Sequence, residues 1–148
     1  MRSLRLILTT ALCAGALLLP TPAHAAGERC ETSASVQRCA EMINVETDDT
    51  NFYAKGSVFS LRYPRVKVRM ARVLMQRQTG NGWVTMARHD LTTSDWFRGH
   101  SATAFRPCEG APRGLYRSRS TVEWKVRGQA GVRSDTITGR SVRKSVLC

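Results

Sequence analysis

Residues 116–127 read YRSRSTVEWKVR and alternate between two kinds of side chain along their whole length. One set is apolar or small, namely Tyr116, Ser118, Ser120, Val122, Trp124 and Val126. The other set is charged or polar, namely Arg117, Arg119, Thr121, Glu123, Lys125 and Arg127. Because successive side chains of a strand point to opposite faces of a sheet, this period of two predicts a long, half-buried strand with a cationic outer face.

The chain before this strand carries the same signal. Three apolar residues alternate with three cations, in the order Arg65, Val66, Lys67, Val68, Arg69 and Met70. This pattern predicts a second half-buried strand, and Pro64 predicts a boundary, bend or edge position just before it. Residues 73–78 and 83–88 flank the glycine-rich segment 79–82, which predicts a β-hairpin.

The pattern as a whole predicts six to eight short strands and almost no helix. We therefore expect an all-β domain built as an antiparallel β-sandwich, with a small β-barrel as the alternative fold. The acidic segment 28–49 is compatible with a helical turn or with an edge strand. Residues 89–99 are polar and are predicted to form a turn-like connection.

The first 25 residues have the pattern of a secretory signal peptide. Two arginines and an apolar run over residues 6–19 are followed by two prolines and by the small-x-small motif Ala23-His24-Ala25. The run is shorter than the roughly 20 residues that a membrane-spanning helix needs, although a retained anchor is the alternative. We expect cleavage after Ala25, one domain over residues 26–148, and a secreted protein with no integral membrane segment.

Four of the five cysteines lie beyond this segment, at Cys30, Cys39, Cys108 and Cys148. An even number of cysteines in an exported chain predicts two disulfides. Three pairings are possible, and local pairing favours Cys30 with Cys39 and Cys108 with Cys148. A zinc site is the alternative, but no two of these cysteines have C-x-x-C spacing.

The residues Gly114-Leu115-Tyr116, placed just before the long alternating strand, resemble the tyrosine-bearing corner of immunoglobulin-like domains. The resemblance implies an immunoglobulin-like sandwich. In true immunoglobulin domains the second bridge cysteine lies two residues after the corner tyrosine, whereas Ser118 occupies that position here. The chain as a whole also resembles small secreted β-sandwich proteins of actinobacteria, which implies export and this fold but no particular activity.

The charge is strongly positive and unevenly distributed. The formal net charge is +12, and the residues after Asn51 include nineteen basic and only five acidic side chains. Such a surface attracts polyanions in a salt-dependent way. If the two cationic strands are neighbours, an anion-binding patch is expected from Lys67, Arg69, Arg117, Arg119, Lys125 and Arg127. A solvated face that keeps the protein soluble is the alternative.

The same alternation bears on nucleic-acid binding. Tyr116 and Trp124 belong to the inward set of the long strand, so we expect no aromatic side chain among the outward cations. That expectation argues against a platform on which nucleic-acid bases stack.

Sequence motifs for catalysis are weak. The mature chain has two histidines, His89 and His100, which together with arginines are the residue types of the acid–base pair in secreted ribonucleases. Both lie in the stretch predicted as a connection, and exposed loop histidines are the plainer interpretation. The chain has no phosphate-binding loop, dinucleotide fingerprint, H-E-x-x-H helix or EF-hand loop, so we expect no cofactor and no metal.

These observations favour a secreted, non-enzymatic extracellular module that binds an anionic polymer or another protein at the cell envelope. One alternative is a secreted ribonuclease-like hydrolase. A further alternative is a cationic toxin or antimicrobial that acts on anionic membranes.

Overall fold

The computed structural model describes residues 26–44, 50–91 and 93–148, so the predicted signal peptide lies outside the described residues. Two antiparallel sheets pack face to face as a sandwich. The strands are β1 (Ala26–Thr32), β2 (Val36–Asn44), β3 (Asn51–Ser60), β4 (Val66–Thr79), β5 (Gly82–Asp90), β6 (Gly99–Pro107), β7 (Leu115–Val126), β8 (Arg133–Thr138) and β9 (Val142–Arg143), and one helical turn, α1 (Lys144–Leu147), follows them.

The first sheet has the strand order β1-β2-β3-β6, and the second has the order β5-β4-β7-β8 with β9 beside the start of β7. Two pairings join strands that are distant in sequence, namely β3 with β6 and β4 with β7. They correspond to the B–E and C–F pairings of an immunoglobulin-like sandwich. Within the described part of the chain the sheets do not close on each other, so the sandwich is confirmed and the barrel alternative is wrong.

The core lies between the sheets and consists of the inward sets predicted from alternation. Along β7, Tyr116, Ser118, Ser120 and Val122 are buried, while Trp124 is half-buried. In the same sheet, β4 adds Val66, Val68, Met70, Val73 and Met75 to this buried face, and Phe52 of β3 is among the buried side chains of the facing sheet. Burial of these apolar surfaces is the main stabilising contribution to the fold.

Strand β4 is one continuous strand of 14 residues where the pattern predicted two runs. A bulge at Ala71 explains the difference. Met70 pairs with Val122 and Arg72 pairs with the adjacent Thr121, so Ala71 has no partner in β7. The extra residue shifts the alternation by one position. Val73 therefore faces the core again after the bulge.

The predicted hairpin is confirmed, with Gln78 opposite Trp83 and Thr79 opposite Gly82. The turn-like connection predicted over residues 89–99 is too long. His89 belongs to β5 and pairs with Val73 of β4, and His100 belongs to β6, which begins at Gly99 and pairs with β3. The described part of the acidic segment, residues 28–44, forms strands β1 and β2 rather than a helical turn, and β1 is an edge strand.

The two sheets approach closely where β3 packs against β7 at Gly56. A Cβ atom at Gly56 would lie 2.6 Å from the Met70 Cε and 2.8 Å from the Ser120 Cβ, and would also overlap the Ser120 Oγ. The neighbouring Ser118 hydroxyl donates a hydrogen bond to the Lys55 carbonyl at 3.0 Å. Small residues are required here because the backbones leave no room for larger ones.

Tyr116 has the geometry of a tyrosine corner. Its hydroxyl donates a 2.7 Å hydrogen bond to the Pro112 carbonyl, four residues upstream. The ring is buried and packs edge-on against Phe52 at 5.1 Å between centroids. Burial raises the pKa of the Tyr116 hydroxyl, which keeps it protonated as a donor. This one side chain thereby connects the loop before β7 to the core.

Both predicted disulfides are present, joining Cys30 with Cys39 and Cys108 with Cys148. The first links directly opposed positions of β1 and β2. The second spans 40 residues and connects the end of β6 to the residue after α1. No helix among the described residues has the length and apolar character that a membrane crossing requires.

The close approach at Gly56 leads to a prediction for packing. Replacing Gly56 with Ala should lower the free energy of unfolding by about 1–3 kcal/mol, because the added methyl group overlaps Ser120. Adding Ser120→Gly should recover part of that loss, with a favourable coupling of about 1 kcal/mol in a double-mutant cycle measured by denaturant unfolding. Gly80→Ala is the control, since no atom lies within 4 Å of its added Cβ. Strict additivity of Gly56→Ala and Ser120→Gly would contradict the overlap.

The tyrosine corner leads to a second prediction. Tyr116→Phe should lower the free energy of unfolding by about 1–2 kcal/mol, because the Pro112 carbonyl loses its donor while the ring stays packed. Tyr63→Phe, which alters an exposed phenol, should have little effect. Equal effects of the two substitutions in denaturant unfolding would show that the corner bond contributes no net stability.

Candidate anion-binding site

The cationic strands β4 and β7 are neighbours, and they bring four cations together at one end of the second sheet. Lys67 lies directly opposite Lys125, and the Arg127 N–H donates a 2.8 Å hydrogen bond to the Arg65 carbonyl. An open cleft of about 550 Å³ lies at this end of the sheet. It is lined by Pro64, Arg65, Lys67, Lys125, Val126, Arg127, Gln129, Gly131 and Val132. We refer to it as the cationic cleft.

The four cations of the cationic cleft have no acidic partner among the described residues. Like charges directly opposite each other across two strands repel, so the pairing of Lys67 with Lys125 destabilises the free protein. An anion between the two ammonium groups would remove that repulsion. The electrostatics of the cleft therefore favour occupation by a negatively charged group.

Trp96 lies beside the cleft because the connection between β5 and β6 is hydrogen-bonded to β4 at Phe97. Strand β5 pairs with β4 only from Arg72 onward. Nearer the start of β4, Phe97 pairs with Val68 instead, through two 2.9 Å backbone hydrogen bonds. Phe97 faces inward with Val68, so its neighbour Trp96 faces outward. The Trp96 ring lies 4.6 Å from the Lys125 Nζ.

The same ring contacts Arg69, whose guanidinium carbon is 4.4 Å from the ring centroid. Arg69 also pairs with Glu123 at 2.7 Å and donates to the Thr93 carbonyl at 3.1 Å. These contacts neutralise Arg69 and hold its guanidinium against Trp96, so Arg69 supports the wall beside the cleft and adds little net charge to it.

The remaining two predicted patch residues lie at the other end of β7. Arg117 is packed under Trp83 at 3.9 Å and donates to the Gln76 Oε1 at 3.0 Å. Burial lowers the pKa of Arg117, and the nearby Arg119 lowers it further. Arg119 is exposed and lies opposite Leu74. The structure thus places only Lys67, Lys125 and Arg127 of the six predicted residues in the cleft.

Two features of this surface were missed or misjudged from the sequence. Arg65 belongs to the cleft, and its place in the alternation with Lys67 and Arg69 was the available signal. The expectation that no aromatic side chain lies among the outward cations is wrong, because it considered β7 alone. Trp83 comes from β5 and stacks on Arg117 of β7, and Trp96 comes from the connection before β6 and stacks on Arg69 of β4.

The two histidines lie on strands of different sheets, His89 at the end of β5 and His100 in β6. The expectation of exposed loop histidines is wrong for His100, whose Nδ1 accepts a 3.2 Å hydrogen bond from the Met70 N–H. The ring packs against Phe97 at 4.7 Å, and burial lowers the pKa of the imidazole. His100 is therefore held neutral in a role that supports β4.

Two other groups of residues have the side-chain types of an anion site and of a metal site, respectively. A cavity of about 920 Å³ at the opposite end of the sandwich includes Arg113, Arg143 and Lys144, but the Lys144 Nζ already donates to the Cys108 and Ala111 carbonyls at 2.9 and 2.6 Å. Glu28, Cys30 and Cys39 also lie together. Their two sulfur atoms form a disulfide, so they cannot bind a metal as thiolates.

The partly buried hydrogen bond of His100 leads to a prediction about acid stability. The lowered pKa means that the unfolded chain takes up a proton more readily than the folded chain below the ordinary imidazole value of 6.5. The stabilising contribution is present above that pH and is lost as the pH falls through the lowered folded-state value. His100→Asn keeps an acceptor but does not titrate, so its free energy of unfolding should fall less between neutral and mildly acidic pH.

The matched control for this measurement is His89→Asn on the neighbouring sheet, which should follow the wild-type profile. Urea unfolding of all three proteins across the pH series measures the difference. If His100→Asn and wild type lose the same free energy of unfolding over that range, the neutral imidazole contributes nothing to acid sensitivity.

No protein-family model matches this chain, and no curated protein sequence matches it.

Proposed function

We propose that this protein is a secreted, non-enzymatic binding module that acts at the cell envelope and holds an anionic partner in the cationic cleft. The observation that carries the proposal is the direct opposition of Lys67 and Lys125, for which the described residues supply no ion-pair partner. A folded protein tolerates this repulsion at a cost in stability, and a bound anion would offset the cost.

The position of the cleft supports binding without large rearrangement. Lys67 and Lys125 lie opposite each other on the two central strands of the second sheet, in a register that joins these strands from Val66 to Arg77. The Arg127 N–H to Arg65 carbonyl bond fixes the ends of both strands. Less conformational entropy is lost when binding groups are already held in place, so a preorganised cluster binds an anion more tightly than the same charges on a loop.

An extended anion suits this surface better than a single small ion. Arg119 continues the positive charge along the outer face beyond the cleft. The few acids on this face are already paired, Glu123 with Arg69 and Asp90 with Arg72 and Arg88. A polyanion that enters the cleft would therefore meet further cations rather than repulsion along its length.

Export is part of the proposal. The charge, apolar run and small-residue motif of the first 25 residues support passage through the secretory machinery. The two disulfides favour an oxidising compartment, since cytosolic thiols are kept reduced.

The proposal predicts that Lys67→Gln/Lys125→Gln weakens binding to heparin, used as a soluble polyanion, by roughly tenfold or more at about 100 mM salt. The slope of log K against log salt should also become shallower, because fewer counterions are released. Removing the two opposed charges should leave the protein at least as stable as wild type. Thermal unfolding of the variant therefore separates loss of binding from loss of folding.

The control is Arg113→Gln/Arg143→Gln, which removes the same charge from the cavity at the opposite end. This control should lose far less affinity than the cleft variant. Equal losses in the two variants would mean that binding follows net charge and not the cationic cleft. A wild-type protein that fails to bind heparin at this salt concentration would contradict the proposed function itself.

A further inference from the structure

We infer that the anionic partner of the cationic cleft is a lipid membrane surface, on which the protein docks with the end of the sandwich that carries the turn over residues 61–65. The inference rests on the proposed function and names its partner. It comes from three exposed aliphatic and aromatic side chains that a soluble polyanion would not use, Leu61, Tyr63 and Val132.

These three side chains are about half exposed. Leu61 is 47% exposed, Tyr63 is 50% exposed and Val132 is 51% exposed. Leu61 and Tyr63 lie in the turn between β3 and β4, and Val132 lies just before β8. Apolar side chains gathered at one place on a surface indicate a site that meets an apolar environment.

The two turns lie at the same end of the molecule. Pro64, the neighbour of Tyr63, and Val132 line the same cleft. The backbone bond from the Arg127 N–H to the Arg65 carbonyl joins the end of the first turn to the start of the second, and the Leu61 N–H donates to the Ser35 carbonyl at 2.9 Å. The apolar tips are thus fixed relative to the cations of the cleft.

The charge around these tips is complementary to anionic headgroups. Arg62 and Arg65 belong to the same turn as Leu61, and the cleft adds Lys67, Lys125 and Arg127. Among the described residues of the segments 61–65, 93–98 and 127–132, Asp95 is the single acidic residue.

This combination separates a membrane from a soluble polymer. Arginine and lysine close to an anionic bilayer each contribute attraction to the headgroups, and aliphatic tips gain free energy by entering the boundary between headgroups and acyl chains. Tyrosine is well suited to that boundary, because its ring is apolar and its hydroxyl is polar. A polymer in water would use the cations alone, and its binding would be indifferent to Leu61 and Val132.

The test measures binding of the protein to sedimented vesicles that contain about 30% phosphatidylglycerol in phosphatidylcholine, at about 150 mM salt. Leu61→Ser/Val132→Ser should lower the partition coefficient by about tenfold or more, while its affinity for heparin stays within about twofold of wild type. Lys67→Gln/Lys125→Gln should lower both. Vesicles of phosphatidylcholine alone should bind wild type far more weakly, because the cleft then has no anionic partner.

The matched control is Val84→Ser/Val146→Ser, since these two residues are 47% and 58% exposed and lie at the opposite end of the sandwich. This control should bind vesicles like wild type. Circular dichroism and thermal unfolding confirm that each variant remains folded.

The outcomes separate the inference from the proposed function. If wild type binds heparin but not the anionic vesicles, or if Leu61→Ser/Val132→Ser binds the vesicles as wild type does, the lipid inference is overturned while anion binding by the cleft stands. An equal loss on heparin and on vesicles in that variant also overturns the inference. If wild type binds neither probe, the proposed function fails together with it.

Discussion

The antiparallel pairing of β4 with β7 is the constraint on which the rest of this structure depends. The inward side chains of these two strands form much of the core, and their outward side chains form the cationic surface. Because register sets both faces at once, a slip of one residue would bury the cations and expose the valines. The bulge at Ala71 belongs to the same constraint, since it returns Val73 to the core within one continuous strand.

The ends of this strand pair are held by unrelated devices. At the start of β7, the Tyr116 hydroxyl and the Cys108–Cys148 disulfide attach the preceding loop and the chain after β9 to the core. At its end, the bond from the Arg127 N–H to the Arg65 carbonyl joins the two strands beside the cationic cleft. One end is stabilised covalently and by burial, while the other carries opposed positive charges and exposed apolar tips.

Net charge alone does not locate the proposed binding surface, because ion pairs and ring contacts occupy several of the cations. Arg69 pairs with Glu123, and Arg117 is covered by Trp83. The cations of the cationic cleft, which have no acidic partner among the described residues, are fewer than the net charge implies. They lie close to Trp96 and to the exposed Val132. Local pairing, more than total charge, thus decides where an anion is favoured.

The sequence by itself determined the elements whose signal is local. Alternation over residues 116–127 predicted β7 and its buried face, the segment 79–82 predicted the hairpin, and cysteine spacing favoured the observed disulfides. Only the tertiary structure decided which cations meet. The contact of Trp96 with Lys125 depends on a bridge between Phe97 and Val68, and the bond that holds His100 depends on a residue 30 positions away. Such contacts follow from strand order and from the bulge, and neither of these produces a periodic pattern of apolar and polar residues in the sequence.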